Sequence, residues 1–125
     1  MTLNWFAVGA IVGAIGVMLG AFGAHGLQTR VNEELLGVFE IGVRYQMYHA
    51  LALIAVAKAK ERWPGRWPNA SGWLFLVGIF VFSGSLYLMT LTGARWLGAI
   101  TPIGGLCLVA GWLALAGAAL QRPSS

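Results

Sequence analysis

The stretch Trp5-Phe-Ala-Val-Gly-Ala-Ile-Val-Gly-Ala-Ile-Gly-Val-Met-Leu-Gly-Ala-Phe-Gly-Ala24 contains no charged, amide or hydroxyl side chain. A helix of about 20 such residues crosses a hydrocarbon core roughly 30 Å thick, with every backbone N–H and C=O paired inside the segment. The stretch therefore reads as a membrane span, and three windows of the same kind follow it, giving spans at 5–24, 39–57, 72–92 and 96–120. The first is expected to be a retained span, not a signal peptide, because Met1 to Trp5 carries no Lys or Arg and the apolar run is longer than a usual h-region. Composition agrees: 58% of residues are hydrophobic, 10% are charged and mean hydropathy is +0.76. Little chain remains for a soluble domain, so residues 1–125 are expected to form one membrane domain.

Between the first two windows, Asn32 followed by Glu33 and Glu34 has the pattern of an N-cap with acidic residues in the first turn. Val31, Leu35, Val38 and Phe39 then form an apolar stripe, as on a helix lying in the interface. The expected fold class is all-α integral membrane: a four-transmembrane-helix bundle with a short interfacial helix between spans one and two. The segment from Lys58 to Pro68 holds Trp63 and Trp67, and Pro64 and Pro68 are expected to prevent a regular helix there. Asn69 or Ser71 is the expected cap of span three. Pro102 stands near the start of span four, with Thr101 either satisfying the carbonyl that the proline frees or serving as N-cap.

The net charge of +4 and pI of 9.9 would suggest nucleic acid in a soluble protein, but the distribution of charge excludes that partner. Lys58, Lys60, Arg62 and Arg66 crowd one connection and Arg122 lies in the tail, leaving Arg30, Arg44 and Arg95 on the other side. The positive-inside rule then places that connection and both termini in the cytoplasm, in a bacterial inner (cytoplasmic) membrane, with the four clustered cations against anionic lipid headgroups. Cys107 is the sole cysteine and reads as a small packing residue within span four.

At about 100° per residue, Gly9, Gly13, Gly16, Gly20 and Gly23 fall within an arc of about 80°. Such a stripe lets another backbone approach closely, either from a span of the same chain or from a second copy in a homo-oligomer. Gly104 and Gly105 offer the same possibility on span four.

Four motifs carry most of the polarity inside the apolar runs: Gly20-Ala-Phe-Gly-Ala-His25, Tyr45-Gln-Met-Tyr-His49, Phe82-Ser-Gly-Ser-Leu-Tyr87 and Thr101-Pro-Ile-Gly-Gly105. In this combination the chain resembles, nearly end to end, a family of small bacterial inner-membrane proteins of unknown function typified by YgdD, with mitochondrial and other eukaryotic relatives. The resemblance implies a four-helix integral membrane protein and no particular activity.

With alternating span directions, Gly20, Tyr45, Tyr87 and Thr101 each lie about 8 to 9 Å from the outer helix ends, in one layer. His49 and Ser83 lie deeper, while His25, Glu40, Arg44 and Arg95 crown the outer end, Glu40 and Arg44 in the i,i+4 order of an interfacial ion pair. Tyr45, Gln46 and His49 share one helix face and need partners in hydrocarbon, which Ser83, Ser85, Tyr87 and Thr101 can supply. The cluster is expected to be connected, either as a hydrogen-bonded network fixing helix packing or as a one-sided pocket for a small ligand, lipid or partner. No metal, cofactor or catalysis is expected: no closely spaced ligand set, Ser-His-Asp arrangement, paired carboxylate or phosphate loop is present. The expected function is that of a non-enzymatic binding protein; the alternative is a small transporter or channel subunit acting as an oligomer.

Overall fold

The computed structural model of the protein describes residues 3–121, so Arg122 lies outside it. Four helices run antiparallel in chain order: α1 (Trp5–His25), α2 (Glu33–Arg62), α3 (Arg66–Thr92) and α4 (Thr101–Ala119). Short 3₁₀ turns, Leu27–Thr29 and Arg95–Ala99, complete the connections at the end where α1 and α3 finish. No strand occurs among the described residues. Three helical stretches, Trp5–Thr29, Arg66–Thr92 and Arg95–Ala119, are long and apolar enough to cross a membrane. α2, with 30 residues, is the longest helix. Arg44, Tyr45, Gln46, Tyr48 and His49 interrupt its apolar character.

Local sequence explains most helix ends. Asn4 accepts from the Ala7 N–H at 3.0 Å to start α1, and Asn32 accepts from Leu35 N–H at 2.8 Å to start α2. Past Asn32 the chain contains neither proline nor paired glycines until Pro64, so the stripe expected as a separate interfacial helix is the opening of α2 itself. Of the two prolines, Pro64 marks a break in the helix as expected and Pro68 does not. Pro64 falls in the two-residue gap after the C-cap Trp63, and Pro68 falls in the first turn of α3, where its missing N–H has no intrahelical partner to lose. Gly65 occupies the N-cap with φ 128°, a conformation that a side chain disfavours. Neither Asn69 nor Ser71 caps α3; both face other helices. α4 begins at Thr101, with Ile100 as N-cap and Pro102 in its first turn. Gly93, at φ 73°, closes α3 through its N–H to Met89 O.

Packing runs in series, α1 on α2, α2 on α3 and α3 on α4, with α2 and α4 touching at a few points. The main core gathers Trp5, Leu53, Val56, Phe75, Ile79 and Leu108 from all four helices, and a smaller cluster of Leu86, Met89 and Leu97 closes the opposite end. Close helix approach depends on glycine. A methyl group on Gly9 would lie 2.7 Å from Ala50 O, on Gly16 2.5 Å from Met47 Sδ, and on Gly23 3.0 Å from Phe39. Gly13 and Gly20 face Ala50 and Val43 more loosely, at 3.7 and 3.4 Å, so the α1 stripe stands against α2 of its own chain. At the α3–α4 contact a methyl on Gly104 would meet the Phe82 backbone N at 2.4 Å, while Gly105 lies 3.7 Å from the Phe82 ring.

Polarity is inverted relative to a water-soluble domain. Gln46, His49, Ser71, Ser83, Ser85 and Thr90 are buried, whereas Phe80, Leu106, Leu113, Leu51 and Met18 are more than 60% exposed. An apolar exterior around a hydrogen-bonded polar interior is the distribution that a hydrocarbon solvent selects.

Candidate functional site

Two polar nodes lie one turn apart on α2. The first is Gln46, whose Nε2 donates to the Val12 carbonyl of α1 at 2.9 Å and whose Oε1 accepts from the Tyr87 hydroxyl of α3 at 2.6 Å. The amide orientation follows from chemistry: the Val12 carbonyl only accepts, so the nitrogen must face it. Tyr87 reaches Gln46 by lying over Gly42, where a methyl group would be 2.7 Å from its ring, and it packs against Phe39 with centroids 5.0 Å apart. Beside it Ser83 donates to Gly42 O at 2.7 Å. One side chain on α2 thus joins three helices.

The second node is His49. Its Nδ1 lies 2.7 Å from Tyr45 O and its Nε2 lies 3.0 Å from the Trp112 indole nitrogen of α4. A carbonyl only accepts and an indole N–H only donates, so His49 is neutral with its proton on Nδ1. Both nitrogens are spent, leaving no lone pair for a metal. Phe75 and Trp112 enclose the ring at 5.5 and 5.7 Å, and Tyr45 stacks on it at 6.3 Å.

The remaining hydroxyls pair off locally. Ser85 donates to Phe82 O at 2.9 Å and shares a 2.6 Å bond with Thr101 Oγ1, joining α3 to α4; Thr101 also reaches Leu97 O at 3.4 Å. Thr90 donates to Leu86 O and to Leu35 O. The residues expected to form one connected cluster thus fall into three hydrogen-bonded sets: Gln46–Tyr87 with Ser83 beside it, His49–Trp112, and Ser85–Thr101. Tyr45 is partly exposed and joins by ring contact, with Phe82 at 4.8 Å and Tyr48 at 5.7 Å. His25 is exposed at the end of α1 and bonds to none of them, so it does not close the cluster.

The charges at that end also differ from expectation. Glu40 and Arg44 are exposed and make no ion pair with each other; Arg95 pairs instead with Glu34, tying the α3–α4 connection to the first turn of α2. At the opposite end Lys58 lies 3.8 Å from Glu61, and the Arg62 guanidinium stands 5.5 Å over the Trp63 ring. Lys58, Lys60, Arg62 and Arg66 all fall at this end, where α2 finishes and α3 begins.

Several structural partners escaped the sequence reading. Trp112 had a detectable signal, an indole N–H in mid-helix that must find an acceptor in an apolar setting. Ser71, donating to Gly111 O at 2.7 Å, and Asn69, accepting from Trp5 Nε1 at 3.1 Å, were obscured by their proximity to the expected cap.

A cleft of 220 Å³ opens beside the Gln46 node. Val12, Ile15 and Leu19 of α1 form one wall; Leu76, Ile79, Phe80 and Gly84 of α3 form the other, with Gln46 and Tyr87 supplying its polar groups. Ile15 and Phe80 are 43% and 72% exposed, so the cleft opens sideways between α1 and α3.

Residues 19–105 match the model of a family described as Protein of unknown function (DUF423). The chain belongs to that family. The matched segment holds all four sequence motifs and the Gln46, Tyr87 and His49 positions; Trp112 lies beyond it. The chain is 47% identical over 108 residues to a UPF0382 membrane protein of Staphylococcus haemolyticus, covering 86% of this chain and 88% of that one. It is 44% identical over 115 residues to the UPF0382 membrane protein YwdK of Bacillus subtilis, covering 91% and 94%. No solved structure matches this DUF423 protein.

Proposed function

We propose that this DUF423 protein is a four-span, non-enzymatic protein of the bacterial inner membrane that binds a small apolar ligand in the cleft between α1 and α3. The observation carrying this reading is the cleft itself: a concave, largely apolar site of 220 Å³ with a buried amide and a phenol at one side. The other buried polar groups described above bond to one another or to backbone and, among the described residues, line no hydrated path, which favours a one-sided pocket over a transport route.

Topology supports the fourth span. α1 and α3 both begin at the end where Trp5 meets Asn69 and Gly72, and both qualify as membrane-crossing. α2 connects the finish of one to the start of the other, which supports a return through the same thickness, with its buried polar side chains Gln46 and His49 turned to neighbouring helices. The grouping of Lys58, Lys60, Arg62 and Arg66 supports a cytoplasmic α2–α3 connection bound to anionic headgroups, and the relatives named as membrane proteins of bacteria support a place in a bacterial membrane. Native mass spectrometry of protein released from membranes should find a retained apolar adduct that is lost when Ile15→Trp fills the cleft. A wild-type protein that carries no adduct and takes up no added apolar molecule would refute the binding reading.

A further inference from the structure

We infer that the ligand is a quinone-type lipid, held by a hydrogen bond from the Gln46 amide to one of its carbonyl oxygens, with its apolar chain along the α1–α3 cleft. This rests on the cleft being a binding site, and it follows from what the node leaves unfilled. Gln46 is 5% exposed; its Oε1 is taken by Tyr87 and one Nε2 hydrogen by Val12 O. Nε2 makes one hydrogen bond among the described residues, so the second of its two hydrogens is left for an acceptor outside them. The site therefore offers a neutral donor and asks for an acceptor oxygen. No ionisable carboxylate, amine or imidazole lines the cleft, so nothing there balances an anionic or cationic ligand.

Depth narrows the ligand further. Val12 lies about 10 Å from the start of α1 and about 20 Å from its finish, so the donor is well inside the apolar layer. The ester carbonyls of a phospholipid are tethered near the headgroups and do not reach it. A quinone ring, whose carbonyls are not anchored to a headgroup, does.

Gly84 is the second observation. The other glycines of α3 face a neighbour: a methyl on Gly72 would meet Trp5 at 2.5 Å and one on Gly78 would meet Leu108 at 2.6 Å. Gly84 has nothing within 4 Å and lines the cleft. A mid-helix glycine costs up to about 1 kcal/mol relative to alanine, and here no close-packed neighbour requires it. What its missing side chain leaves is the open cleft wall.

The test uses the full chain in phospholipid nanodiscs, with ¹⁵N-glutamine and ¹³C-methyl labels on Ile and Leu. The Gln46 side-chain amide should shift saturably on titration with decylubiquinone and stay unmoved with squalane, which has no acceptor. Gly84→Leu, which extends into open space, should preserve the spectrum elsewhere and weaken decylubiquinone binding by at least about tenfold. If squalane saturably shifts the Ile15, Leu19 and Ile79 methyls while the Gln46 amide ignores decylubiquinone, the quinone assignment falls and the apolar-ligand reading survives. If neither probe shifts the amide or the methyls, both fall.

Discussion

The two flanks of the α2–α3 pair solve the same packing problem differently. On the α4 flank the contact is closed: Gly104 sits against the Phe82 backbone, Ser71 bonds to Gly111 O, Ser85 meets Thr101, and both nitrogens of His49 are engaged. On the α1 flank the glycine positions meet flexible side chains such as Met47 and Ile54 as well as backbone, Gln46 keeps one hydrogen free, and the helices part to leave 220 Å³. A fully satisfied interface holds the fold but offers nothing to a ligand. The open and the closed flank are only three residues apart along α2, at Gln46 and His49.

The sharpest way to break the contrast is to add one methyl group to each flank. Gly104→Ala would drive its Cβ to 2.4 Å from the Phe82 backbone N and 2.8 Å from its Cα, positions that cannot rotate away. Unfolding in detergent should show a loss of about 3 kcal/mol or more. Gly16→Ala presses mainly on the Met47 thioether at 2.5 Å, which can change rotamer, so its loss should stay near about 1 kcal/mol. Equal losses would mean that the flanks do not differ in rigidity.

Next in size is the His49–Trp112 bond. His49→Ala and Trp112→Phe each leave the other partner unmatched, and a double-mutant cycle should give a coupling of about 0.6 to 2 kcal/mol. A coupling indistinguishable from zero would mean that ring packing, not the 3.0 Å bond, joins α2 to α4.

Sequence and structure agree where one physical term dominates and part where two compete. The positions of α1, α3 and α4 followed from apolar length, and the Asn32 cap of α2 followed from a side-chain acceptor with no rival. Pro68 was misread because proline's cost depends on its place in the turn: the same residue that breaks a helix interior is tolerated at its start. The shared depth of Tyr45, Tyr87 and Thr101, with His49 one turn deeper, suggested one network, but depth is only one of three coordinates. The 3.6-residue period points Gln46 toward α1 and His49 toward α4, so neighbours in height bond to opposite flanks. The α1–α3 cleft had no sequence signature, because a void is defined by what two helices do not fill.

A smaller effect is expected at Tyr87. Tyr87→Phe keeps the ring over Gly42 and removes the donor to Gln46 Oε1, which should cost about 1 kcal/mol in unfolding free energy. A loss above about 3 kcal/mol would mean that the substitution also displaces the ring and unseats the α2–α3 contact.

The smallest expected change differs in sign. Gly84→Ala adds a methyl where nothing lies within 4 Å, so helix propensity acts alone and the apo protein should gain up to about 1 kcal/mol. Gly78→Ala, six residues earlier on the same helix, meets Leu108 at 2.6 Å and should lose stability instead. Opposite signs in the same chemical-denaturation assay would show that one glycine of α3 serves packing and the other serves space. A loss at Gly84 comparable to that at Gly78 would mean that the cleft collapses in the membrane and leaves no room for a ligand.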